Sequence, residues 1–592
     1  MGIPHLLKLL EPFATPAAFP AAPFPGSADG RFHDSGGLAV IDGPGLAYHA
    51  YHNALSRRKD ARNALEAIPP YHEVCAVVLN WIDALESNGL TIRAIFFDGA
   101  LPHAKTPVRI SRLQHYLNQL ILFRRDYPHG FLTPRDWHEN KPADQSELFR
   151  IQHVPAKLKA LPASPFLVPA VIESLLQSKY ASITSIVPGE ADAYCARYVK
   201  RSGGTVITGD TDLLVYDIGL KGSVTFFSDF SLDSKLRSKR YEPAVIARRL
   251  HLGSLLKLGF IVMRNRGKSL NECKLLAQNL QNANKEYLKF KEEYEFEVDL
   301  PSAFSEVRLS PTGTDKSSLD PRVAEYVHRT KESLSKRVIY LPFLVDDPTR
   351  FAAWTSGAAV RRLGYNLDGQ AGDRTTVEVQ RRGPNMAEVS VPHLRAVECK
   401  KAALSLLEDA SNWRNELAHS SSAYFWMSFA ILLVCKDIVA GGKPLVPKDH
   451  LEDILQGQWI GSDWAFIHFS ALVQAELYSF RILKQLLGYW KRPLTVETTR
   501  AEWMISLEDF LSDLPSLRDL FSSSSLLETD KHEAVISLIY GLPGVVETVP
   551  DEPSKESEKK GKKKRKKAKT QAGREGNGST PNNIFNVLSS NV

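Results

Sequence analysis

Acidic residues follow four successive apolar segments in the first half of this chain. Amphipathic helical patterns lie between the segments, for example from Val74 to Leu85 and from Ala191 to Val199. Alternation of strand and helix predicts a mostly parallel β-sheet with helices packed on its faces. The segments and their acids are 38–41 with Asp42, 93–97 with Asp98, 182–187 with Glu190 and Asp192, and 204–207 with Asp210 and Asp212.

These acids are expected to converge, because the carboxyl ends of parallel strands lie at one edge of a sheet, where ligands bind. Residues two apart on extended backbone point to the same side, so both members of the pairs Glu190/Asp192 and Asp210/Asp212 can face one volume. Anions that close together repel one another unless cations lie between them. Oxygen ligands favour hard cations such as Mg²⁺ or Mn²⁺. Two such ions about 4 Å apart promote in-line hydrolysis of phosphodiesters.

Each acid also has a simpler interpretation when it is considered alone. An Asp after a strand is commonly a turn former or a helix N-cap, and both Asp42 and Asp98 precede a glycine. Asp210 and Asp212 could cap a short helix that begins near Leu213. The occurrence of acids at the ends of four strands favours a shared metal site over separate structural roles.

Motifs around the acids are typical of one nuclease superfamily. They read Met1-Gly-Ile-Pro-His-Leu-Leu, Ala39-Val-Ile-Asp42-Gly, Ile95-Phe-Phe-Asp98-Gly, Val187-Pro-Gly-Glu190-Ala-Asp192-Ala-Tyr-Cys and Thr208-Gly-Asp210-Thr-Asp212-Leu-Leu. Together they resemble the flap-endonuclease/xeroderma-pigmentosum-G (XPG) superfamily over about residues 1–260. The segment Phe166-Leu-Val-Pro-Ala and the long helical C-terminal half resemble its Asteroid subfamily, as in fungal Asteroid-type proteins. The resemblance implies a PIN-like α/β fold and metal-dependent cleavage of structured DNA.

The resemblance also assigns roles to individual residues. It implies that Gly2, exposed when Met1 is removed, packs close to the active site. Lys105 and Arg112 stand seven and fourteen residues after Asp98, at the positions where the family contacts the scissile phosphate. The residues that the resemblance marks as ligands of Mg²⁺ or Mn²⁺, with two ions expected, are Asp42, Asp98, Glu190, Asp192, Asp210 and Asp212.

Basic residues on the helix after the second acidic strand support this assignment independently. The helical pattern from Val108 to Phe123 has basic ends, and Arg109 lies between Lys105 and Arg112. Cationic groups beside an acidic metal site suit an anionic substrate. The alternative is a solvated helix face without a catalytic role.

One departure from the family concerns a further Asp, which the family supplies from a helical hairpin after the last acidic strand. The corresponding stretch, 258–269, contains no Asp, and Asn265 is the nearest polar candidate. This absence puts in doubt the affinity for a second metal ion. Arg264, Arg266 and Lys268 in the same stretch could contact phosphates or be surface charge.

The remainder of the chain determines the predicted domain organisation. Apolar residues make up 43% and charged residues 24% of the 592 residues, which is typical of soluble proteins. The apolar stretch 423–434 is shorter than the roughly 20 residues of a membrane span, so we expect a core helix and no membrane partner. We predict a nuclease domain over 1–260, a helical extension with polar linkers over 261–390, an α-helical domain over 391–548 and a disordered basic tail over 549–592.

The charge of the tail bears on localisation. The net charge of the chain is +7, and the segment 551–592 alone carries 11 basic and 5 acidic residues. The dense run from Lys559 to Lys569 is typical of a nuclear import signal or of an arm that binds nucleic acid. A solvated tail without either role is the remaining alternative.

The leading functional hypothesis is a nuclear, structure-specific endonuclease that acts on single-stranded or branched DNA, in DNA repair or processing. Its partners would be nucleic acid and, through the helical C-terminal half, other proteins. A second hypothesis is a catalytically weak or inactive nuclease-like scaffold that binds RNA or protein. A third is an unrelated phosphohydrolase that uses the same acids on a small substrate.

Overall fold

A computed structural model describes residues 2–18, 37–130, 145–295, 319–332, 337–367, 374–461, 463–490, 501–522 and 528–545. The predicted basic tail and part of the predicted extension with polar linkers, residues 296–318, lie outside these residues. The strands are β1 Thr15–Ala18, β2 Leu38–Asp42, β3 Thr91–Asp98, β4 Thr184–Val187, β5 Gly204–Thr208, β6 Gly222–Phe226, β7 Ser231–Leu232, β8 Leu236–Arg240, β9 Arg337–Tyr340, β10 Thr375–Arg382 and β11 Asn385–Pro392.

The helices of the described residues alternate with these strands in the first half of the chain and dominate the last third. They are α1 Leu6–Leu10, α2 Gly43–Ser56, α3 Tyr71–Ser87, α4 Thr106–Asp126, α5 Gln145–Leu148, α6 Leu167–Leu176, α7 Ala191–Ser202, α8 Pro243–Arg249, α9 Leu256–Arg264, α10 Leu270–Asn279, α11 Lys285–Glu292, α12 Pro321–Glu332, α13 Ala358–Tyr365, α14 Ala396–Glu416, α15 Ser422–Ala440, α16 Lys448–Leu455, α17 Trp464–Trp490, α18 Glu502–Ser512, α19 Leu517–Leu520 and α20 Thr529–Tyr540.

The centre of the first half is a five-stranded, wholly parallel sheet in the order β4-β3-β2-β5-β6. Strand β2 therefore lies between β3 and β5, with Ile41 level with Ile95 on one side and Ile207 on the other. This arrangement confirms the predicted mostly parallel α/β sheet. It also brings the carboxyl ends of β2, β3 and β5 together at the middle of one edge.

Helices cover both faces of this sheet because successive strand residues point to opposite sides. Val40, Phe96 and Val206 are buried on the face that α7 and α9 cover. Ile41 and Ile95 are buried on the other face, in the core that includes α2, α3 and α6. Strands that are buried on both faces read as continuous apolar runs, which is why the sequence made them recognisable.

A second sheet of the order β11-β10-β9 lies in the segment that we predicted as a helical extension. The prediction of helix and polar linker is therefore wrong over 337–340 and 375–392. Strand β10 was missed because its buried positions include charged residues, which hide the apolar pattern. Glu378 is paired there with the buried Arg361, and Arg381 is paired with Asp346.

The C-terminal third is helical, as the sequence predicts. Helix α17 begins after Asp463, whose Oδ1 accepts a hydrogen bond from Phe466 N at 2.8 Å, and it ends at Trp490. Helix α15 is long and apolar enough to cross a membrane by composition alone, but 61% of its most apolar window is buried. It packs against α17 as a core helix.

The helical third packs directly on the first half of the chain. Tyr478 of α17 stacks on Phe166 with ring centroids 4.4 Å apart. Arg481 of α17 donates to Glu173 Oε1 of α6 at 2.7 Å, and Glu173 Oε2 accepts from Leu517 N at 2.7 Å. Buried residues of both parts belong to one hydrophobic cluster, although the predicted domain boundaries themselves stay predictions.

Candidate metal centre

The predicted acids all lie at the carboxyl edge of the central sheet. Asp42 and Asp98 are the last residues of β2 and β3. Glu190 precedes α7 and Asp192 lies in its first turn, while the pair Asp210/Asp212 follows β5. Because β4, β3, β2 and β5 are consecutive in the sheet, the sheet order brings the acids from distant parts of the sequence to one edge.

Asp42 is buried, with 6% of its surface exposed, and two contacts orient its carboxylate. Oδ1 accepts from Gly45 N at 3.3 Å, and Oδ2 accepts from the hydroxyl of Thr208 at 2.9 Å. Burial and the neighbouring Asp98 raise the pKa of Asp42 to about 7. The helix N-cap that we named as an alternative is therefore present, and the same carboxylate still lies among other acids.

Thr208 was missed as a site residue, although it stands in the motif that carries Asp210. Its side-chain oxygen donates to Asp42 and accepts from Asp210 N at 2.9 Å. One fully buried hydroxyl therefore couples the ends of β2 and β5. Asp210 Oδ1 in turn accepts from Asp212 N at 2.9 Å, which holds the second pair in a tight turn.

Asp98 is tied to the start of α7. Its Oδ1 accepts from Ala191 N at 2.7 Å, between the two acids of the third motif. Burial, followed by the charge of Glu190, raises the pKa of Asp98 to about 6, while Arg109 and Lys105 act in the opposite direction. The end of β3 and the first turn of α7 therefore form one unit.

The carboxylates destabilise one another's charged forms. Burial, and then Asp42 and Asp210, raise the pKa of Asp192 well above its ordinary value. Burial and Asp210 likewise raise the pKa of Asp212 to about 7, and its Oδ1 is buried without a hydrogen-bond partner among the described residues. Buried acids with raised pKa values and an orphaned oxygen are a donor set that a hard cation would satisfy.

The acids are nevertheless not gathered as a complete metal cage. In the part of the chain that the structure describes, no group of three or more His, Cys, Asp or Glu side chains is close enough to hold an ion as they stand. Asp42 accepts a hydrogen bond from Thr208, Asp98 accepts one from Ala191 N, and Glu190 is paired with Lys105. The assignment of the six acids as metal ligands therefore stays a prediction, supported by their electrostatics and all-oxygen chemistry.

Gly2 lies against the second acidic pair, where the resemblance places it. It has a φ of +101°, and a Cβ at this position would overlap Asp210 Oδ1 and the side chain of Thr211. Thr211 also donates to Ile3 O at 3.2 Å. Only glycine fits this close approach, so the first residues of the chain and the turn after β5 are packed as one unit.

Lys105 and Arg112, the two residues predicted to contact phosphate, lie in different environments. Lys105 Nζ lies 2.6 Å from Glu190 Oε1, and its charge also acts on Asp98 and Asp212. Arg112 is exposed further along α4. The structure therefore places Lys105 inside the acidic cluster and Arg112 on the outer part of the same helix.

In the stretch 258–269, which lacks the expected Asp, polar and basic side chains contact nearby helices. Asn265 Nδ2 donates to Ile261 O at 2.9 Å and so ends its own helix, α9. Arg264 is paired with Glu286, and Lys268 lies 3.8 Å from Glu272. These contacts give Asn265 a structural role at the end of α9.

Tyr294, which follows α11, approaches the acids from this side of the molecule. Its ring packs on Tyr216 at a centroid distance of 5.1 Å, and its hydroxyl opposes the rise in the pKa of Asp212 that burial and Asp210 cause. No motif in the sequence marks Tyr294, because only the packing of α11 on α9 brings it to the site.

Comparison with known proteins agrees with this fold and arrangement. A family model described as "XPG domain containing" matches residues 163–393, which include both acidic pairs and the second sheet. Asteroid homolog 1 of Schizosaccharomyces pombe is 22% identical over 381 residues, which are 62% of this chain and 60% of that protein. The chain therefore corresponds to less than two thirds of that relative's length.

The parallel sheet with acids at its carboxyl edge is a PIN-like α/β fold, and residues 163–393 match the XPG-domain family model. Through this match and the Schizosaccharomyces pombe relative, the chain is similar to the Asteroid/XPG-like family of nuclease-like proteins.

Proposed function

We propose that the protein is a metal-dependent, structure-specific endonuclease that hydrolyses phosphodiester bonds of DNA. Its substrates would have single-stranded or branched regions, and its role would be DNA repair or processing in the nucleus. The observation that carries the proposal is the convergence of mutually repelling carboxylates at one edge of the sheet, with Lys105 among them. An acidic site of this kind requires cations, and cations between carboxylates suit a phosphate substrate.

The residues of the site would have distinct roles in the reaction. The six carboxylates at the sheet edge would hold two Mg²⁺ or Mn²⁺ ions, which supply charge neutralisation and Lewis-acid activation at the scissile phosphodiester. Thr208 and Ala191 N orient Asp42 and Asp98, so that these carboxylates meet the site in a fixed geometry. Gly2 lets the backbone of the first residues approach Asp210 closely.

Lys105 would act on the substrate directly. Its ammonium is paired with Glu190 at 2.6 Å and therefore already lies at the site. From this position Lys105 would contact a phosphate oxygen, where its positive charge would stabilise the negative charge that develops during hydrolysis. Arg112, exposed further along α4, would hold a flanking phosphate of the strand.

A scaffold that binds nucleic acid without turnover is the second candidate. The observation that favours it is the stretch 258–269, which lacks the expected Asp and in which Asn265 caps α9. A site with one ligand fewer would hold its second ion weakly, and binding could persist where hydrolysis did not.

The test is a cleavage assay of the full chain with Mg²⁺ or Mn²⁺. Single-stranded, overhang, flap and duplex DNA are compared with the same shapes in RNA, and binding is measured in parallel with Ca²⁺. Metal-dependent cleavage of a single-stranded or branched DNA is the expected result. Binding without cleavage under every metal condition would support the scaffold, and cleavage of RNA alone would overturn the DNA assignment.

A further inference from the structure

The loop between Asp98 and Lys105 is held by a residue from a distant part of the chain. Arg329 of α12 donates from Nη2 to Leu101 O at 3.1 Å and lies with Nη1 3.3 Å from His103 Nδ1. Arg329 is buried, with 7% of its surface exposed. A single guanidinium therefore joins two points of the short loop that separates a predicted metal ligand from the predicted phosphate contact.

A buried carboxylate connects this contact to the helix that follows the loop. Glu325, one turn before Arg329 on α12, lies 2.8 Å from Arg329 Nη2 and is also paired with Arg109 of α4. Both guanidinium groups lie over the ring of Tyr340 in β9, at 4.5 Å for Arg109 and 5.5 Å for Arg329. Glu325 is 3% exposed, so these two guanidinium groups compensate its charge inside the protein.

This cluster, Glu325, Arg329, Arg109 and Tyr340, spans the loop and the first turns of α4. Breaking a buried ion pair on one side leaves the other charge uncompensated, which is strongly unfavourable. The loop and the start of α4 are therefore held in one position relative to α12 and β9. Lys105 lies between these two attachment points, with its Nζ directed at Glu190.

We propose that Arg329 and Glu325 are positioning residues of the candidate nuclease site, which hold Lys105 at the acidic cluster from outside the nuclease half. The inference rests on the proposed function, because it assigns these residues to the same reaction. It makes helix α12 and strand β9 working parts of the site. Within the described residues, neither forms a hydrogen bond or ion pair with the six acids, so both would act through Lys105.

The kinetic test replaces Arg329 in the full chain and measures kcat and KM on the best substrate. Arg329→Ala is expected to lower kcat roughly 10- to 100-fold with KM little changed, because a displacement of about 1 Å can reduce a rate by that much. Arg329→Lys, which keeps the charge but cannot fork to both Leu101 O and His103, should recover part of the loss. A loss confined to KM would overturn the proposal.

A double-mutant cycle separates positioning from general damage. If Arg329 acts through Lys105, Arg329→Ala should change kcat less than about threefold in a Lys105→Ala background. Multiplicative losses would show that Arg329 acts independently of Lys105 and would overturn the proposal. The control is Tyr365→Phe, which removes a buried 2.8 Å hydrogen bond to Glu378 near the second sheet and is expected to leave kcat unchanged.

Hydrogen exchange of the metal-free protein gives a readout that needs no activity. Arg329→Ala, or Arg329→Lys if the alanine variant does not fold, should speed exchange of amides 99–105 by at least roughly tenfold, and Tyr365→Phe should not. Unchanged exchange in this loop would overturn the inference whatever the enzyme does. If the wild-type protein cleaves nothing, the proposed function fails, whereas faster exchange would still establish the attachment of the loop to α12.

Discussion

At the scale of single residues, hydrogen bonds favour the charged forms of the acids in the site, whereas burial and neighbouring acids disfavour them. Asp42 and Asp98 each receive hydrogen bonds that favour the ionised form, from Thr208 and from Ala191 N. Burial and neighbouring acids act more strongly in the opposite direction and raise the pKa of both carboxyls. The hydrogen bonds therefore hold the carboxylates in place, but their charged forms are unfavourable while no cation is bound.

The first prediction concerns the acids themselves. Asp98→Asn combined with Asp210→Asn should abolish cleavage, because both strand ends lose a charged oxygen ligand. The protein should stay folded, since removing repelling charges does not remove packing. Cleavage rate and thermal midpoint are measured together, with Asp217→Asn, an exposed acid paired with Lys200, as the matched control. Normal cleavage by the double variant would refute the metal site.

The second prediction concerns the hydroxyl that joins β2 to β5. Thr208→Val keeps the shape of the side chain but leaves Asp42 Oδ2 and Asp210 N without this partner. Loss of such buried hydrogen bonds should lower the free energy of unfolding by about 1–3 kcal/mol and reduce cleavage. Urea denaturation measures the first effect, and Thr208→Ser, which keeps the hydroxyl, should retain most of the stability. Equal stability of the valine variant would contradict the bridging role.

The third prediction follows from the raised pKa values. A carboxyl whose pKa rises on folding binds its proton more tightly in the native state, so stability falls as pH rises from its unfolded pKa of about 4 to its folded pKa. For Asp42 and Asp212 the folded pKa is about 7, so metal-free protein should lose stability between about pH 4 and pH 7.

The measurement is the thermal midpoint with and without Mg²⁺ at several pH values. Asp192→Asn removes a buried charge. At pH values above neutral it should raise the thermal midpoint of the metal-free protein, and in acid its effect should be much smaller. Mg²⁺ should stabilise the wild type more than this variant. A variant that is less stable than the wild type above neutral pH would show that Asp192 is compensated in the metal-free state.

At the scale of elements, helices α9–α11 contain the stretch 258–269, where the resemblance places a helical hairpin. In this chain the stretch lacks the Asp that the family supplies there. The end of α9 is closed by Asn265, and Tyr294 after α11 is a polar group that reaches Asp212. A phenol is a weaker cation ligand than a carboxylate. The second metal position is therefore expected to be the weaker one.

The fourth prediction is weak activity that favours Mn²⁺ over Mg²⁺. Mg²⁺ demands near-ideal octahedral ligation and gives up water reluctantly, whereas Mn²⁺ binds the same oxygen ligands more tightly. Cleavage rate is titrated against each metal. Asn265→Asp should leave the metal optimum unchanged, because Asn265 caps its own helix, and Tyr294→Phe should shift it. Saturation at low micromolar Mg²⁺ without a Mn²⁺ advantage would reveal a further ligand.

At the scale of the whole molecule, the C-terminal half and the nuclease half are packed together. Helix α17 is attached to α6 through Arg481 and Glu173, and α12 is attached to the loop after β3 through Arg329. The family match, which extends from 163 to 393, crosses the predicted boundary at residue 260 in the same way. A truncated chain that ended at residue 260 would lack the residues that hold α4.

The fifth prediction concerns the basic tail. The run from Lys559 to Lys569 should direct nuclear accumulation, because dense basic runs are typical import signals. Ending the chain at Val549 should abolish accumulation and leave the thermal midpoint unchanged, since the packing described above lies within residues 2–545. A fluorescent fusion measures localisation, and removal of 571–592 alone is the control. Nuclear concentration of the version that ends at Val549 would contradict the assignment.

The sequence by itself determined the central sheet and the positions of the acids on it. Strands buried on both faces, such as β2 and β5, read as apolar runs, and their acids stand directly at the strand ends. These relations are local along the chain, and the rule that parallel strands end at one edge needs no knowledge of side-chain packing.

Tertiary structure alone decided the features that depend on contacts between distant segments. The second sheet was hidden because buried charges on β10 are compensated by Arg361 and Asp346 from other elements. Tyr294, which no motif marks, gained importance only once the packing of α11 on α9 was known. The attachment of Arg329 to the loop before Lys105 has no local signal at all, because a buried ion pair is defined by its partner and not by its place in the chain.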